Sequence, residues 1–192
     1  MIEPARLLTV CTGNVCRSPY LERRLQQAMD NAWGAGAVEV RSAGTNALVQ
    51  AEMDPQSLSL LEAQGGVGAD FRARQIAKEI LAEQQLVIVA AREHRAAVTR
   101  MWPKGLARTH TLLDLAQLAS LVSDEELPER SDARSWFDAV VPLLASKRGL
   151  QMPLPAEQAE VVDPFRQSAE VFARMQKQIE DVLPSVVRVL GG

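Results

Sequence analysis

Apolar positions in the first thirty residues change period, and the change places the first elements. Leu7, Leu8, Thr9 and Val10 form a short apolar, partly β-branched run, which predicts a buried strand. From Leu21 the apolar residues recur at helical spacing through Leu25, Ala28 and Met29. Ser18 is a helix-capping residue type and Pro19 needs no amide donor at a first helical position, so the helix is expected to open there. Val38 to Arg41 reads as a second strand and Ser42-Ala43-Gly44-Thr45 as the turn after it. Asp54-Pro55 opens a further helix, with Leu58, Leu60 and Leu61 on its apolar side and Gly65-Gly66 at its end. Leu86-Val87-Ile88-Val89-Ala90 is a continuous apolar run between polar segments, the pattern of a strand covered on both faces. Arg92 to Met101 reads as a helix, and Thr109 to Leu112 as the last strand region.

Strand and helix patterns thus alternate from residue 6 to 122, which predicts an α/β fold: a doubly wound, mostly parallel central sheet with helices on both faces. Ligands in such sheets bind at the carboxyl ends of strands, and Cys11 sits at that end of the first one. A further helical and loop segment is expected at about 123–160. Asp124, Glu125, Glu126, Glu129 and Arg130 suggest an exposed loop, Trp136, Phe137, Val140, Leu143 and Leu144 an amphipathic helix, and Pro153 and Pro155 a stiff connection. It either flanks the cleft or packs on the outside. A closing helix is expected over 167–183, with Val171, Met175, Ile179 and Val182 or Leu183 on one side. The expectation is one domain over 1–192.

Charge narrows the function classes. Twenty-one Lys and Arg against 24 Asp and Glu give a net charge of -3, which argues against a nucleic-acid-binding or membrane-surface protein. Any anion site must therefore be local. No apolar stretch approaches the ~20 residues needed to span a bilayer, and no basic-then-apolar leader opens the chain. Two cysteines five residues apart do not make a secreted disulfide framework, so a cytoplasmic protein is expected.

The local anion site is the loop Cys11-Thr12-Gly13-Asn14-Val15-Cys16-Arg17-Ser18. It joins a strand to a helix N-terminus, where successive backbone amides and the positive end of the helix dipole can hold a tetrahedral oxyanion. Gly13 is expected to let the backbone curl. Cys11 would direct its sulfur into the amide ring as a thiolate nucleophile. Arg17 would grip two non-bridging phosphate oxygens through its planar, permanently charged guanidinium. A Walker A loop is different: it has no thiol and ends in Gly-Lys-Ser/Thr.

The order Cys-x5-Arg-Ser, with Gly13-Asn14 inside the loop, Cys16 before the Arg and Pro19 after the Ser, resembles the low molecular weight protein-tyrosine-phosphatases. That resemblance implies several roles. Ser42 in Ser-Ala-Gly-Thr would hydrogen-bond Asn14 and support the loop, and residues through Leu48 would form one wall of the cleft, where the family often has an aromatic. Cys16 would be a redox partner that pairs reversibly with Cys11 and spares it from over-oxidation. Phe71-Arg72-Ala73-Arg74-Gln75-Ile76 matches a family stretch that begins with His, so Phe71 is a departure.

Expelling a phenoxide calls for a proton at the leaving oxygen. Two Asp-Pro steps supply candidates, because Pro pushes the preceding residue into an extended conformation. Asp54 is accounted for as a helix cap. Asp163-Pro164-Phe165 resembles the family's acid loop, which makes Asp163 the expected general acid and Phe165 a hydrophobic wall for the aryl ring. The reading is a hydrolase acting on phosphotyrosine proteins through a cysteinyl-phosphate and releasing inorganic phosphate, with no cofactor and no metal. His94 and His110 are read as ordinary histidines. The alternatives are a small-thiol-dependent arsenate reductase, since arsenate imitates phosphate, and a non-catalytic phosphoprotein-binding module.

Overall fold

The computed structural model describes residues 3–150, 152, 154, 155 and 158–192; Pro153 of the expected stiff connection lies outside them. Four strands form one sheet in the order β2-β1-β3-β4, and every pairing is parallel. They are β1 (Ala5–Cys11), β2 (Val38–Gly44), β3 (Leu86–Val89) and β4 (Thr109–Thr111). Side chains alternate across a strand, so one sequence feeds two cores. Leu7, Leu86 and Ile88 face the larger core with α1 (Arg17–Trp33), α5 (Leu112–Ser120), α6 (Ala133–Ser146) and α7 (Ala169–Val189). Leu8, Val10, Val87 and Val89 face a smaller one with Leu81 of α3 (Lys78–Ala82) and Val98 of α4 (Arg92–Met101). Both faces are covered, which is why β3 reads as an unbroken apolar run.

Three expected boundaries move. Ser42, Ala43 and Gly44 are not a turn but the end of β2, paired in parallel register with Thr9, Val10 and Cys11. Helix α1 starts at Arg17, with Cys16 at the cap position and no side-chain cap bond. Ser18 does not cap it because its hydroxyl is held inside the loop, by Asn14 and Cys11. Helix α7 runs through Pro184 to Val189, beyond the expected 183. A proline removes one internal hydrogen bond, and the burial of Val186 and Val189 in the core offsets that loss.

Asp54 caps α2 (Pro55–Ala63), its side chain accepting from the Gln56 amide. Helix α6, within 123–160, buries Trp136, Phe137, Val140 and Leu144 in the larger core, and the Trp136 indole donates to the Val189 carbonyl at 3.0 Å. Among the described residues, no helix is long and apolar enough to cross a membrane.

Candidate active site

The loop from Cys11 to Ser18 leaves the carboxyl end of the central strand, and its shape is set from outside. The carbonyls of Cys11, Thr12, Gly13 and Val15 accept hydrogen bonds of 2.8–3.0 Å from the amides of Thr45, Asn46, Leu48 and Asp54. In a trans peptide the carbonyl and the following N–H point in opposite directions. The amides of Thr12, Gly13, Asn14 and Cys16 are therefore turned toward the inner side of the loop. Gly44 makes this close approach possible, because a Cβ there would lie 2.4 Å from the Thr12 carbonyl oxygen.

The curl expected of Gly13 is made instead by Asn14, whose φ is 56°. Asn tolerates this left-handed conformation when its side chain is bonded locally. Here all of that side chain is used. Asn14 Nδ2 donates to Ser18 Oγ at 2.9 Å and Ser42 Oγ at 2.8 Å, and Oδ1 accepts from the Arg74 amide at 2.8 Å. Ser42 Oγ in turn donates to Glu22, a carboxyl buried on the inner face of α1. Desolvation raises the Glu22 pKa above the usual carboxylate value, against the lowering effect of the Ser42 hydrogen bond and of Arg23, Arg74 and Arg41.

Cys11 and Cys16 are both buried free thiols. Cys11 Sγ lies 3.0 Å from Ser18 Oγ. Burial, and secondarily Asp54 and Cys11, push the Cys16 thiol up to about 12, so Cys16 stays protonated.

Arg17 is held by distant parts of the chain. Nη1 donates to the Val161 carbonyl at 3.4 Å and Nη2 to Asp163 Oδ2 at 2.7 Å, while Nε is buried with no partner among the described residues. The segment carrying these acceptors is itself pinned: the Val161 amide donates to the Ala90 carbonyl beyond β3, and the Val162 amide to Gln178 of α7. Asp163 Oδ1 accepts the Phe165 amide at 3.2 Å.

These parts open on one cavity of about 150 Å³. Cys11, Thr12, Gly13, Val15, Cys16 and Arg17 line its base, and Asn46, Leu48, Asp163 and Phe165 its sides. Leu48 and Phe165 are 45% and 38% exposed, so neither is used up by packing against the core. No described residue of 123–160 lines the cavity.

The sequence profile of the low molecular weight phosphotyrosine protein phosphatases matches residues 6–147. The chain belongs to this family. Phosphatase Wzb of Salmonella typhi is 32% identical over 157 residues, which cover 81% of this chain and 97% of that one. Among solved structures, the tyrosine phosphatase Wzb of Escherichia coli K30 in complex with sulphate superposes with a TM-score of 0.68 over the whole of both chains at 21% identity. The YwlE arginine phosphatase of Geobacillus stearothermophilus gives 0.65 at 23% identity, covering 96% of this chain and 92% of that one. The chain is thus a protein-tyrosine-phosphatase by family.

Within that family frame, Phe71 is buried and gives no polar support to Asn14; the Arg74 amide, Ser42 and Glu22 supply it. Sequence reading missed Glu22, although its spacing from Ser18, Leu25 and Met29 puts a carboxylate on an otherwise buried stripe of α1. It also misjudged His94. That ring is 1% exposed, and its Nε2 lies 2.8 Å from Thr12 Oγ, which accepts from Arg17 Nη2 at 3.4 Å. The available signal was the i, i+4 spacing of His94 and Val98 on the inner face of α4.

Proposed function

We propose that this phosphatase hydrolyses phosphotyrosine by way of a cysteinyl-phosphate formed on Cys11. The observation that carries the reading is that Cys11, Arg17 and Asp163 open on one small cavity whose side walls include Leu48 and Phe165. A phosphoryl group would sit in the amide ring of residues 12–18, with the buried, unpartnered Nε of Arg17 among its donors. The Cys11 thiolate attacks phosphorus in line as Asp163 hands a proton to the phenolic oxygen. Asp163 then takes a proton from the water that cleaves the S–P bond, and inorganic phosphate leaves. Ser18 Oγ, 3.0 Å from the sulfur, stabilises the departing thiolate. Leu48 and Phe165 flank the aryl ring. Cys16 acts as a redox partner by forming a disulfide with Cys11 when peroxide oxidises the nucleophile. The phosphatase acts in the cytoplasm, where reducing conditions keep both thiols free.

Hydrolysis of para-nitrophenyl phosphate and of a phosphotyrosine peptide by the wild type, Cys11→Ser and Asp163→Ala tests the reading. Loss of all activity in Cys11→Ser, and a fall in Asp163→Ala that is steeper for the peptide, support it. Preference for phosphoarginine over phosphotyrosine overturns the substrate, and thiol-dependent arsenate reduction by an enzyme inert to both aryl phosphates overturns the reaction.

A further inference from the structure

A second cavity, of about 180 Å³, lies between α4, α5 and the end of α6, and its walls carry Arg95, His110, Asp114, Gln117, Lys147 and Arg148. None of these residues lines the active-site cavity. Two guanidiniums converge here on one backbone oxygen. Arg95 Nε donates to the Thr109 carbonyl at 3.1 Å, and Arg148 Nη2 donates to the same oxygen at 2.7 Å while Nη1 donates to the Leu106 carbonyl at 3.0 Å. Like charges so close oppose one another: the Arg148 pKa is lowered by burial and then by Arg95, with only Asp114 acting the other way.

The usual relief, a carboxylate at each guanidinium, is missing. Among the described residues neither Arg95 nor Arg148 is in an ion pair, whereas Lys147 is paired with Glu126. Arg95 has spent only Nε on the protein. Its terminal nitrogens, the edge that takes two oxygens at once, have no partner among the described residues. His110 adds no anion. The orientation is that of a neutral ring, with Nε2 3.2 Å from the Ala107 carbonyl and Nδ1 3.2 Å from Arg148 Nη2. Two arginines, one aspartate and one neutralised lysine leave the walls with one uncompensated positive charge.

We infer that this cavity is a second oxyanion site, distinct from the catalytic loop, and that it takes a phosphoryl group on Arg95 and Arg148. A tetrahedral anion can meet two guanidiniums that are not coplanar, and it would supply the countercharge that the protein does not. The group can come from free phosphate or from a second phosphorylated residue of a protein substrate. Arg95 follows His94, whose ring contacts Thr12, so one helix carries a contact to each of the two sites.

The full chain, labelled with nitrogen-15, is titrated with inorganic phosphate while the Arg95 and Arg148 side-chain N–H signals and the amides of residues 12–18 are followed by NMR. Two independently saturating sets of shifts are expected. Arg95→Ala removes the arginine set, and Gln117→Glu, which adds a charge at the wall and gives up only the exposed 3.4 Å hydrogen bond from Gln117 Nε2 to the Met152 carbonyl, weakens it about tenfold or more. Both variants keep para-nitrophenyl phosphate turnover within about twofold of wild type, since they leave the loop intact. Shifts confined to residues 12–18, or arginine shifts that persist in both variants, overturn the site. Repeating the titration with singly and doubly phosphorylated peptides on Cys11→Ser identifies the source. A doubly phosphorylated peptide that alone loses affinity in Arg95→Ala assigns the site to protein-borne phosphate, and loss only for inorganic phosphate assigns it to the free ion.

Discussion

Arg17 Nη2 and Asp163 Oδ2 are 2.7 Å apart, although 146 residues separate them in the chain. The arginine side chain is 6% exposed and the aspartate 52%. The contact therefore joins a buried cation to an acid on the rim, and under the proposed function the phosphoryl group and the acid compete for the same guanidinium. In the proposed reaction, substrate must draw Arg17 toward its own oxygens and leave Asp163 directed at the leaving group.

Asp163→Ala should separate the two parts of that competition. Loss of the proton donor lowers kcat by about 10²–10⁴. KM, or the inhibition constant of inorganic phosphate, should stay level or fall, because Arg17 no longer has to release a carboxylate. Steady-state kinetics with phosphate inhibition checks this, and a large rise in KM would mean that Asp163 binds substrate instead.

The loop support can be tested through Ser42 and Glu22. Ser42→Ala leaves Asn14 Nδ2 and the Glu22 carboxyl short of a buried partner and should cost about 1–3 kcal/mol, measured by denaturant unfolding. Glu22→Gln keeps an acceptor for Ser42 and removes a titrating group. The folded-state pKa of Glu22 is raised, so the folded state binds more protons than the unfolded one above pH about 4.5. Its contribution to stability is present below that pH and is lost as pH rises through the folded value. Glu22→Gln should flatten that decline and stabilise the protein at neutral pH while retaining activity.

His94 gives the opposite pH dependence. Burial, and then the charge of Arg17, lower its pKa from 6.5 to about 4. Between these values the unfolded chain binds the proton and the folded one does not, so stability falls as pH drops from about 6.5 toward 4. His110, lowered to about 3 by burial and Arg148, acts in the same direction. Thermal unfolding across pH 4–7 should show Tm falling in acid, by about 2–4 °C per kcal/mol for a chain of this size. His94→Gln should reduce the slope, and it should weaken the placement of Thr12 beside Arg17, read as a rise in KM.

Cys16 should be chemically quiet until Cys11 is oxidised. With its thiol pushed up to about 12, alkylation at pH 7 should label Cys11 alone, as mapped by mass spectrometry. Peroxide followed by a reducing agent should restore wild-type activity, and Cys16→Ser should recover far less because nothing intercepts the oxidised Cys11. Equal recovery in both proteins would remove the redox role.

The sequence alone determined the parts that depend on local pattern. Apolar runs and helical spacing located the strands and most helices, Asp54-Pro55 declared its cap, and Cys11, Arg17 and Ser18 marked the loop because a thiol, a guanidinium and a hydroxyl stand together in one short motif between a strand and a helix. Side-chain alternation along β1 carried both cores without showing which helices would fill each. Tertiary structure decided what depends on distant partners. Whether Ser42–Gly44 is turn or strand follows from its pairing with Thr9–Cys11. The left-handed residue is Asn14, and not a property of Gly13, because Ser42 and the Arg74 amide reach it from other segments. Glu22, His94 and the ion pair of Arg17 with Asp163 belong to the same class. A buried polar group is stable only where its partner arrives, and that partner's position is set by packing that no local spacing encodes.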